Sequence, residues 1–172
     1  MKIPANIINL LKRKKLLESF DYRDVWKQEH LNSFTVAKSM KYDILTDIHD
    51  ALTEALHAGT TFQQFRKDIM PMLQKKGWWG YSLMLDPKTG EIRKVLLGTP
   101  RRLETIYKTN MRTVRAAGQW DRIESTKKTH PYLLYQLGPS LEHRIDHKKW
   151  RELLLPVGHS FWDTHYPPNG WG

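Results

Sequence analysis

Apolar residues recur at helical spacing in the first half of the chain, and this pattern predicts a mostly helical N-terminal region. Residues 4–18 carry a short apolar stripe and predict a short helix. A longer stripe predicts one long helix, or a pair of helices, over residues 24–58. Its members are Ala37, Met40, Ile44, Ile48, Ala51 and Ala55.

The next helix is bounded by residues that favour helix ends. Gly59 is typical of a C-terminal stop, and Thr61 with Gln64 has the spacing of a capping box. The predicted buried face of this helix consists of Phe62, Phe65, Ile69 and Leu73. Pro71 lies within the same stretch and is expected to kink or interrupt the helix.

The pattern changes in residues 81–97, which predict a β-hairpin around a turn at residues 86–90. Thr99 and Pro100 then form an N-cap followed by proline at the first helical position, so a helix is expected over residues 100–125. Residues 132–137 predict another strand, and Ser140 is expected to cap a helix that ends at Trp150. The predicted fold class is α+β, a mostly helical N-terminal region followed by a compact C-terminal domain with a hairpin or small sheet.

The predicted helix at residues 100–125 has one cationic and one apolar side. At ~100° per residue, five cations fall within a stripe of roughly 80°. They are Arg101, Lys108, Arg112, Arg115 and Arg122. This stripe is a candidate contact for phosphates or for an acidic protein surface, and the alternative is an ordinary solvated face. Asn110 lies near the centre of the apolar side, where a buried amide is predicted to tie the helix to a loop or strand backbone.

Composition narrows the classes of partner. The chain has 172 residues and a net charge of +10, which indicates an anionic partner such as nucleic acid, an acidic protein or a membrane surface. A generally basic soluble protein is the alternative. No apolar run reaches the ~20 residues that cross a bilayer, and cations at residues 12–15 interrupt any signal-peptide core. The absence of cysteine excludes disulfides and thiolate metal sites, and is consistent with a reducing cytoplasm.

Histidines near the C-terminus are the candidates for enzyme chemistry. His143 and His147 are spaced i, i+4 on a predicted helix, with Asp146 between them and with His159 and His165 downstream. Such spacing can hold one metal ion, as a nuclease would require. The chain has neither a His-Glu-x-x-His motif nor a second acidic cluster, so we expect no catalytic residue, no metal ligand and no cofactor.

The tryptophans allow two interpretations. Trp78 and Trp79, between two glycines, are either a partner-binding hot spot or a core plug below the hairpin. Trp120, Trp150, Trp162 and Trp171 are predicted to form one aromatic cluster that links the last helix to the C-terminal tail.

The C-terminal tail is the most specific motif. Phe161-Trp162-Asp163 is followed by Pro167-Pro168-Asn169-Gly170 and Trp171, a rigid extended pair that leads into an Asn-Gly turn. With upstream segments, the tail resembles the phage Mu F-like head morphogenesis (minor head protein) family, whose pattern continues into a Cys-x-Cys that this chain does not reach. Those upstream segments include Leu97-Gly98-Thr99-Pro100-Arg101-Arg102, Ile106-Tyr107-x-Thr109-Asn110, Gly138-Pro139-Ser140, Glu142-His143-Arg144, His147 and Trp150. Where the family usually has Asp-Gly after the helix tryptophan, this chain has Arg151-Glu152.

The resemblance implies a minor head protein of a tailed bacteriophage or prophage. Such a protein associates with the portal or the procapsid interior, in the host cytoplasm during assembly and then in the virion head. Packaged DNA is an additional candidate partner, and no membrane partner is expected. The implied domains are a helical region at residues 1–76 and a Mu F-like domain at residues 77–172. The motif residues implied to be structural are Asn110, His143, Arg144, His147, Trp162, Asp163, Pro167, Pro168 and Gly170.

Two other classes of function stay open at this point. The first is a nuclease- or toxin-associated domain with a histidine-based metal site. The second is a non-specific DNA-binding module. A head assembly protein that is not an enzyme is the expectation.

Overall fold

The computed structural model describes residues 5–12, 14–18, 33–34, 36, 41–139 and 141–166 of the chain. These residues form an α+β fold, which confirms the predicted class. The elements in chain order are α1 (Ala5–Lys12), β1 (Lys15–Leu16), β2 (Ser33–Phe34), α2 (Tyr42–Ala58), α3 (Phe62–Lys75), β3 (Tyr81–Leu85), β4 (Ile92–Leu96), α4 (Pro100–Thr126), β5 (Tyr132–Leu134), α5 (Ile145–Lys149), β6 (Leu154–Pro156) and α6 (Phe161–His165). None of the helices in this part of the chain is long and apolar enough to cross a membrane.

The chain divides into two compact units, Met1–Arg115 and Ala116–Gly172. The boundary falls inside α4, so this helix contributes residues to both units. The division into functional domains at residues 76 and 77 stays a prediction.

The core of the first unit is built on α2 and α3. Six apolar side chains of α2 are buried, and so are three of α3. They are Ile44, Leu45, Ile48, Leu52, Ala55, Leu56, Phe65, Ile69 and Leu73. At the surface, the Lys76 ammonium contacts the carboxylates of Asp47 and Asp43 on α2. The hydrogen bond with Asp47 raises the pKa of Lys76, so this contact ties the end of α3 to α2 at neutral pH.

The ends of these helices largely confirm the sequence signals. Gly59 has φ 67°, the left-handed conformation that glycine adopts without steric cost, and its N–H donates to the Ala55 carbonyl. Thr61 Oγ1 accepts from the Gln64 N–H at 3.4 Å, while the Gln64 side chain donates to Asp68 instead of completing the capping box. Pro71 does not interrupt the helix, so that form of the expectation is wrong: α3 continues to Lys75, with Ile69 and Leu73 burying its apolar face on both sides of the proline. The alternative, a kink at Pro71, stays a prediction.

The N-terminal part differs from the prediction in two places. The first helix ends at Lys12 and is followed by a strand, since Lys15–Leu16 pairs in parallel with Ser33–Phe34. This strand pairing is incompatible with a single helix through Phe34, so that form of the prediction for residues 24–58 is wrong, and α2 begins at Tyr42. The alternative of a helix pair stays a prediction, because residues 24–32 lie outside the described residues. Ala37 and Met40 of the predicted stripe lie outside the described residues.

The β-hairpin of the first unit is present as predicted. β3 and β4 pair antiparallel, with Tyr81 opposite Leu96 and Leu85 opposite Ile92. The buried Asp86 organises the turn, since its Oδ1 accepts from the Lys88 N–H at 2.9 Å and its N–H donates to the Glu91 carbonyl at 2.8 Å. Val95 on the inner face of the hairpin is buried in the core of this unit.

The second unit contains a two-stranded antiparallel sheet in which Tyr132–Leu134 pairs with Leu154–Pro156. The strand predicted over residues 132–137 is therefore shorter, and its partner strand was not predicted. The helix predicted from Ser140 to Trp150 is wrong in its extent: α5 covers Ile145–Lys149, and Arg144 precedes it in an extended conformation. Ser140 itself lies outside the described residues.

Candidate interaction surfaces

Helix α4 is fixed at its start by the predicted cap. Thr99 Oγ1 accepts from the Arg102 N–H at 3.1 Å, and the Thr99 carbonyl accepts from the Leu103 N–H at 2.9 Å. Leu103, Met111 and Val114 on the apolar side are buried in the core of the first unit. This burial fixes the rotation of the helix and confirms its predicted apolar side.

The basic stripe of α4 points to solvent. Within the first unit, Arg101, Lys108, Arg112 and Arg115 are all exposed, and Arg122 is exposed in the second unit. At 1.5 Å per residue, the four cations of the first unit span about 21 Å of helix. Lys108 Nζ lies 2.6 Å from Glu104 Oε1, so one of these charges is compensated within the helix. The exposure fits a contact surface for an anionic partner, and such a role stays a prediction.

Asn110 has a different partner from the one expected. It is half-buried, and its Nδ2 donates to the Ile106 carbonyl of the same helix at 2.8 Å. This bond is intrahelical, so it does not support the prediction that Asn110 ties the helix to a loop or strand. The residue that does make such a contact is Tyr107, whose hydroxyl donates to the Thr60 carbonyl between α2 and α3.

Trp78 is a core residue rather than a partner contact. Its side chain is buried, which removes it from the candidate surface, and Trp79 packs against the core as a partly buried residue. A Cβ on Gly98 would lie 2.5 Å from the Trp78 carbonyl oxygen and 2.6 Å from Trp79 Cε3, so only glycine fits at this crossing. The interpretation of Trp78 as a core plug is therefore the one that fits.

Arg102 connects the start of α4 to the end of β4 and to Trp78. Its Nη1 donates to the carbonyls of Leu96 and Leu97, each at 3.0 Å, and its guanidinium lies 4.9 Å from the Trp78 ring centroid. Burial lowers the pKa of Arg102 to about 10. Sequence reasoning singled out Arg102 only within a family motif, because a side chain that folds back onto a preceding strand leaves no periodic signal.

Two histidines of the second unit take part in ring packing. His147 stacks on Trp150 at 5.4 Å, and His165 stacks on Phe161 at 4.2 Å. His143 precedes α5, so the expectation that His143 and His147 share one helix face is wrong. His143 instead lines an open cavity of about 390 Å³ together with Gln136, Leu137, Arg151 and Glu152. Among the described residues, no group of three or more His, Cys, Asp or Glu side chains is placed to hold a metal ion.

The predicted aromatic cluster exists in part. Trp150 and Trp162 both contact Phe161, and the Trp162 indole is buried with its Nε1 donating to the Pro156 carbonyl at 2.9 Å. Trp120 instead contacts Tyr166 at 4.7 Å. Asp163 is exposed on α6, and Arg144 is exposed before α5. Pro167, Pro168, Gly170 and Trp171 lie outside the described residues.

An apolar surface on the hairpin was not anticipated from the sequence. We define the hairpin outer face as the side chains of Tyr81, Leu83, Leu85, Ile92, Lys94 and Leu96. All six are exposed, and Leu83 and Ile92 each retain 71% of their accessible surface. Strand geometry places Tyr81, Leu83 and Leu85 on one side, but the sequence contains no signal that this side is exposed, because Met84 on the other side is also apolar.

Comparison with known proteins gives a consistent result. The model of the family described as "Phage Mu protein F like protein" matches residues 46–172. The "Putative capsid assembly protein F" of Escherichia phage Mu is 33% identical over 168 residues, which are 98% of this chain and 38% of that protein. The "Mu-like prophage FluMu F protein" of Haemophilus influenzae is 31% identical over 154 residues, which are 90% of this chain and 36% of that protein. No solved structure matches the chain.

The α+β fold and the family match together place the chain in a family of bacteriophage and prophage proteins. The chain belongs to the phage Mu protein F-like family, as its C-terminal motif implied. It spans less than two fifths of the length of the curated relatives it matches.

Proposed function

We propose that this chain acts as a minor head protein that associates with the portal or the procapsid interior during assembly. The observation that carries the proposal is the family match over residues 46–172, which includes the hairpin, α4 and the whole second unit. The name of the phage Mu relative, which refers to capsid assembly, supports the same conclusion. On this proposal the protein works in the host cytoplasm during assembly and in the procapsid or virion head.

We also propose that the chain is not an enzyme. The imidazole rings of His147 and His165 pack against Trp150 and Phe161. This packing supports a structural role for both imidazoles, and the cavity beside His143 is open and lined by few groups. A nuclease assay with magnesium, manganese and zinc tests this proposal. Cleavage that disappears in a His147→Ala variant would contradict it.

The assembly proposal is tested with the phage's own particles. Purified portal and procapsid are immobilised separately, and retention of the full chain is measured against an unrelated basic protein of similar size. We expect saturable retention on at least one of the two. Equal retention of the basic control would show that charge alone explains the binding and would contradict the proposal.

A second candidate function is non-specific binding to DNA, favoured by the exposed basic stripe of α4. Phosphate contacts alone typically give a dissociation constant of about 10⁻⁴–10⁻⁶ M at physiological salt. Changing Arg101, Arg112 and Arg115 to Gln is expected to weaken binding and to reduce the salt slope by roughly 0.9 for each phosphate that is no longer neutralised. The matched control changes Arg66, Lys67 and Lys75, three exposed cations of α3, to Gln. Equal effects of both sets would assign the binding to overall charge rather than to the stripe.

A further inference from the structure

The two faces of the hairpin have different environments. On the inner face, Val95 is buried and Met84 packs against the core of the first unit. On the outer face, Tyr81, Leu83 and Leu85 from one strand are 62–71% exposed. Opposite them, Ile92 is 71% and Leu96 is 39% exposed. A sheet normally buries an apolar face against another layer, and a contiguous exposed apolar patch marks an interaction site.

The dimensions of this face suit one helix. Each strand has five residues, so the face is about 17 Å long at ~3.4 Å per residue. A helix of about 11 residues has the same length at 1.5 Å per residue, and its diameter of about 10 Å covers two strands spaced ~4.8 Å apart. The face therefore matches the apolar side of a three-turn helix.

Lys94 indicates which charge a helix that covers this face should carry. It lies opposite Leu83 in the middle of the face, with its Nζ 4.9 Å from the centroid of the Tyr81 ring. No carboxylate among the described residues forms an ion pair with Lys94, whereas the neighbouring Arg93 pairs with both Asp86 and Glu91. Any layer that covers the face takes the Lys94 ammonium out of water, and this is costly unless a counter-charge accompanies it.

We propose that the hairpin outer face docks one amphipathic helix of a partner protein, and that this helix carries a carboxylate within its apolar stripe. A second copy of this chain is a poor occupant, because the face contains no acidic residue and two-fold packing would bring two Lys94 side chains together. The inference deepens the proposed function and rests on it only for the class of partner, another protein of the phage head.

The test uses the full chain and two synthetic helical peptides of identical length. Both present a leucine stripe, with a single Glu at its centre in one peptide and a single Lys in the other. Binding is measured by fluorescence anisotropy of the labelled peptides. We expect the Glu peptide to bind at least tenfold more tightly than the Lys peptide, and a Lys94→Glu variant to reverse this preference. A Lys67→Glu variant, the matched charge reversal on α3, should keep the preference of the parent.

Apolar variants test the surface itself. Leu85→Asp should abolish binding of both peptides, whereas Ile145→Asp, at a residue that is 74% exposed in the second unit, should leave it unchanged. Equal affinity for both peptides, or no reversal in Lys94→Glu, would overturn the proposal. In dilute buffer, a concentration-dependent dimer that Leu85→Asp abolishes would assign the face to a second copy and would also overturn the proposal. Failure of the parent chain to bind portal or procapsid, with the peptide results intact, would instead contradict the proposed function.

Discussion

Replacing Glu152 by glycine should stabilise the second unit. Glu152 has φ 63°, the left-handed conformation, in the turn between α5 and β6. Two backbone hydrogen bonds to Tyr135 hold this conformation. The Glu152 N–H donates to the Tyr135 carbonyl, and the Tyr135 N–H donates to the Leu153 carbonyl, each at 2.9 Å. The resemblance to the Mu F-like family implies glycine at this position, where this chain has Arg151-Glu152. The substitution therefore removes a conflict between a side chain and its backbone.

The expected change in the free energy of unfolding follows from one term that favours the glycine variant and two that oppose it. The left-handed conformation costs a residue with a Cβ roughly 1–2 kcal/mol. Glycine loses about 0.5–1 kcal/mol more backbone entropy on folding. The ion pair of Glu152 with Arg151, 3.5 Å long, joins two side chains that are 74% and 66% exposed, so its loss costs little. We expect the free energy of unfolding to increase by about 0.5–1 kcal/mol.

Urea unfolding of the full chain, followed by tryptophan fluorescence, measures this change. With a slope of about 2 kcal/mol per molar urea, the midpoint should increase by roughly 0.3–0.5 M. Hydrogen exchange at the Tyr135 and Leu153 amides gives a local readout and should slow by a factor of about 2–5. Glu152→Ala is the matched control, since it removes the ion pair but keeps the Cβ. Equal stability of the Gly and Ala variants would refute the reasoning, because it would show that the backbone conformation carries no strain.

Three further substitutions test individual contacts. Gly98→Ala should lower the free energy of unfolding by about 1–3 kcal/mol, because the new methyl group overlaps a carbonyl and a ring, and Gly138→Ala, with nothing within 4 Å, should be neutral in the same thermal melt. Arg102→Lys should lower the free energy of unfolding by about 1–2 kcal/mol, because an ammonium cannot reproduce both hydrogen bonds to carbonyls and the stacking of the planar guanidinium. An unchanged melting temperature would show that the positive charge alone is sufficient. Trp162→Phe should cost about 1–3 kcal/mol, because the Pro156 carbonyl loses its donor while the core keeps a ring; stability equal to the parent would show that this hydrogen bond contributes nothing.

Elements with local signals were predictable from the sequence. Thr99 and Pro100 specify the start of α4 within two residues, and Gly59 specifies the end of α2 through its own backbone conformation. The hairpin likewise depends on a short turn that brings adjacent segments together. In each case the residues that determine the element are neighbours along the chain, so a sequence pattern contains the necessary information.

Elements that depend on distant partners were not predictable. Ser33–Phe34 is a strand because it pairs with Lys15–Leu16, and Leu154–Pro156 is a strand because it pairs with Tyr132–Leu134. Two- and three-residue strands have almost no periodic signal of their own. Residues 24–58 contain a helical stripe, yet pairing at Phe34 overrides helix propensity there.

Of the two candidate surfaces, one was predictable from the sequence and the other was not. The exposed basic stripe of α4 follows from helical periodicity, because the opposite side of the helix contains the core residues. The sidedness of the hairpin does not follow from its own sequence, since both Met84 on the inner face and Leu83 on the outer face are apolar. Which of them is buried depends on the remainder of the first unit. The proposed docking surface could therefore be identified only from the structure.

Because Lys94 lies at the centre of the hairpin outer face, ionic strength should have opposite effects on two kinds of contact there. Salt should favour contact between copies of the chain and weaken binding of an acidic helix. At low ionic strength, the net charge of +10 and the lysine at the centre of each face keep copies of the chain apart. Added salt shortens the Debye length to about 8–10 Å near physiological conditions, which weakens this repulsion and exposes the attraction between apolar faces. The same screening weakens the attraction of an acidic helix. In dilute buffer, the isolated chain should therefore stay monomeric and should bind an acidic helix. In concentrated salt, the chain should instead self-associate and precipitate.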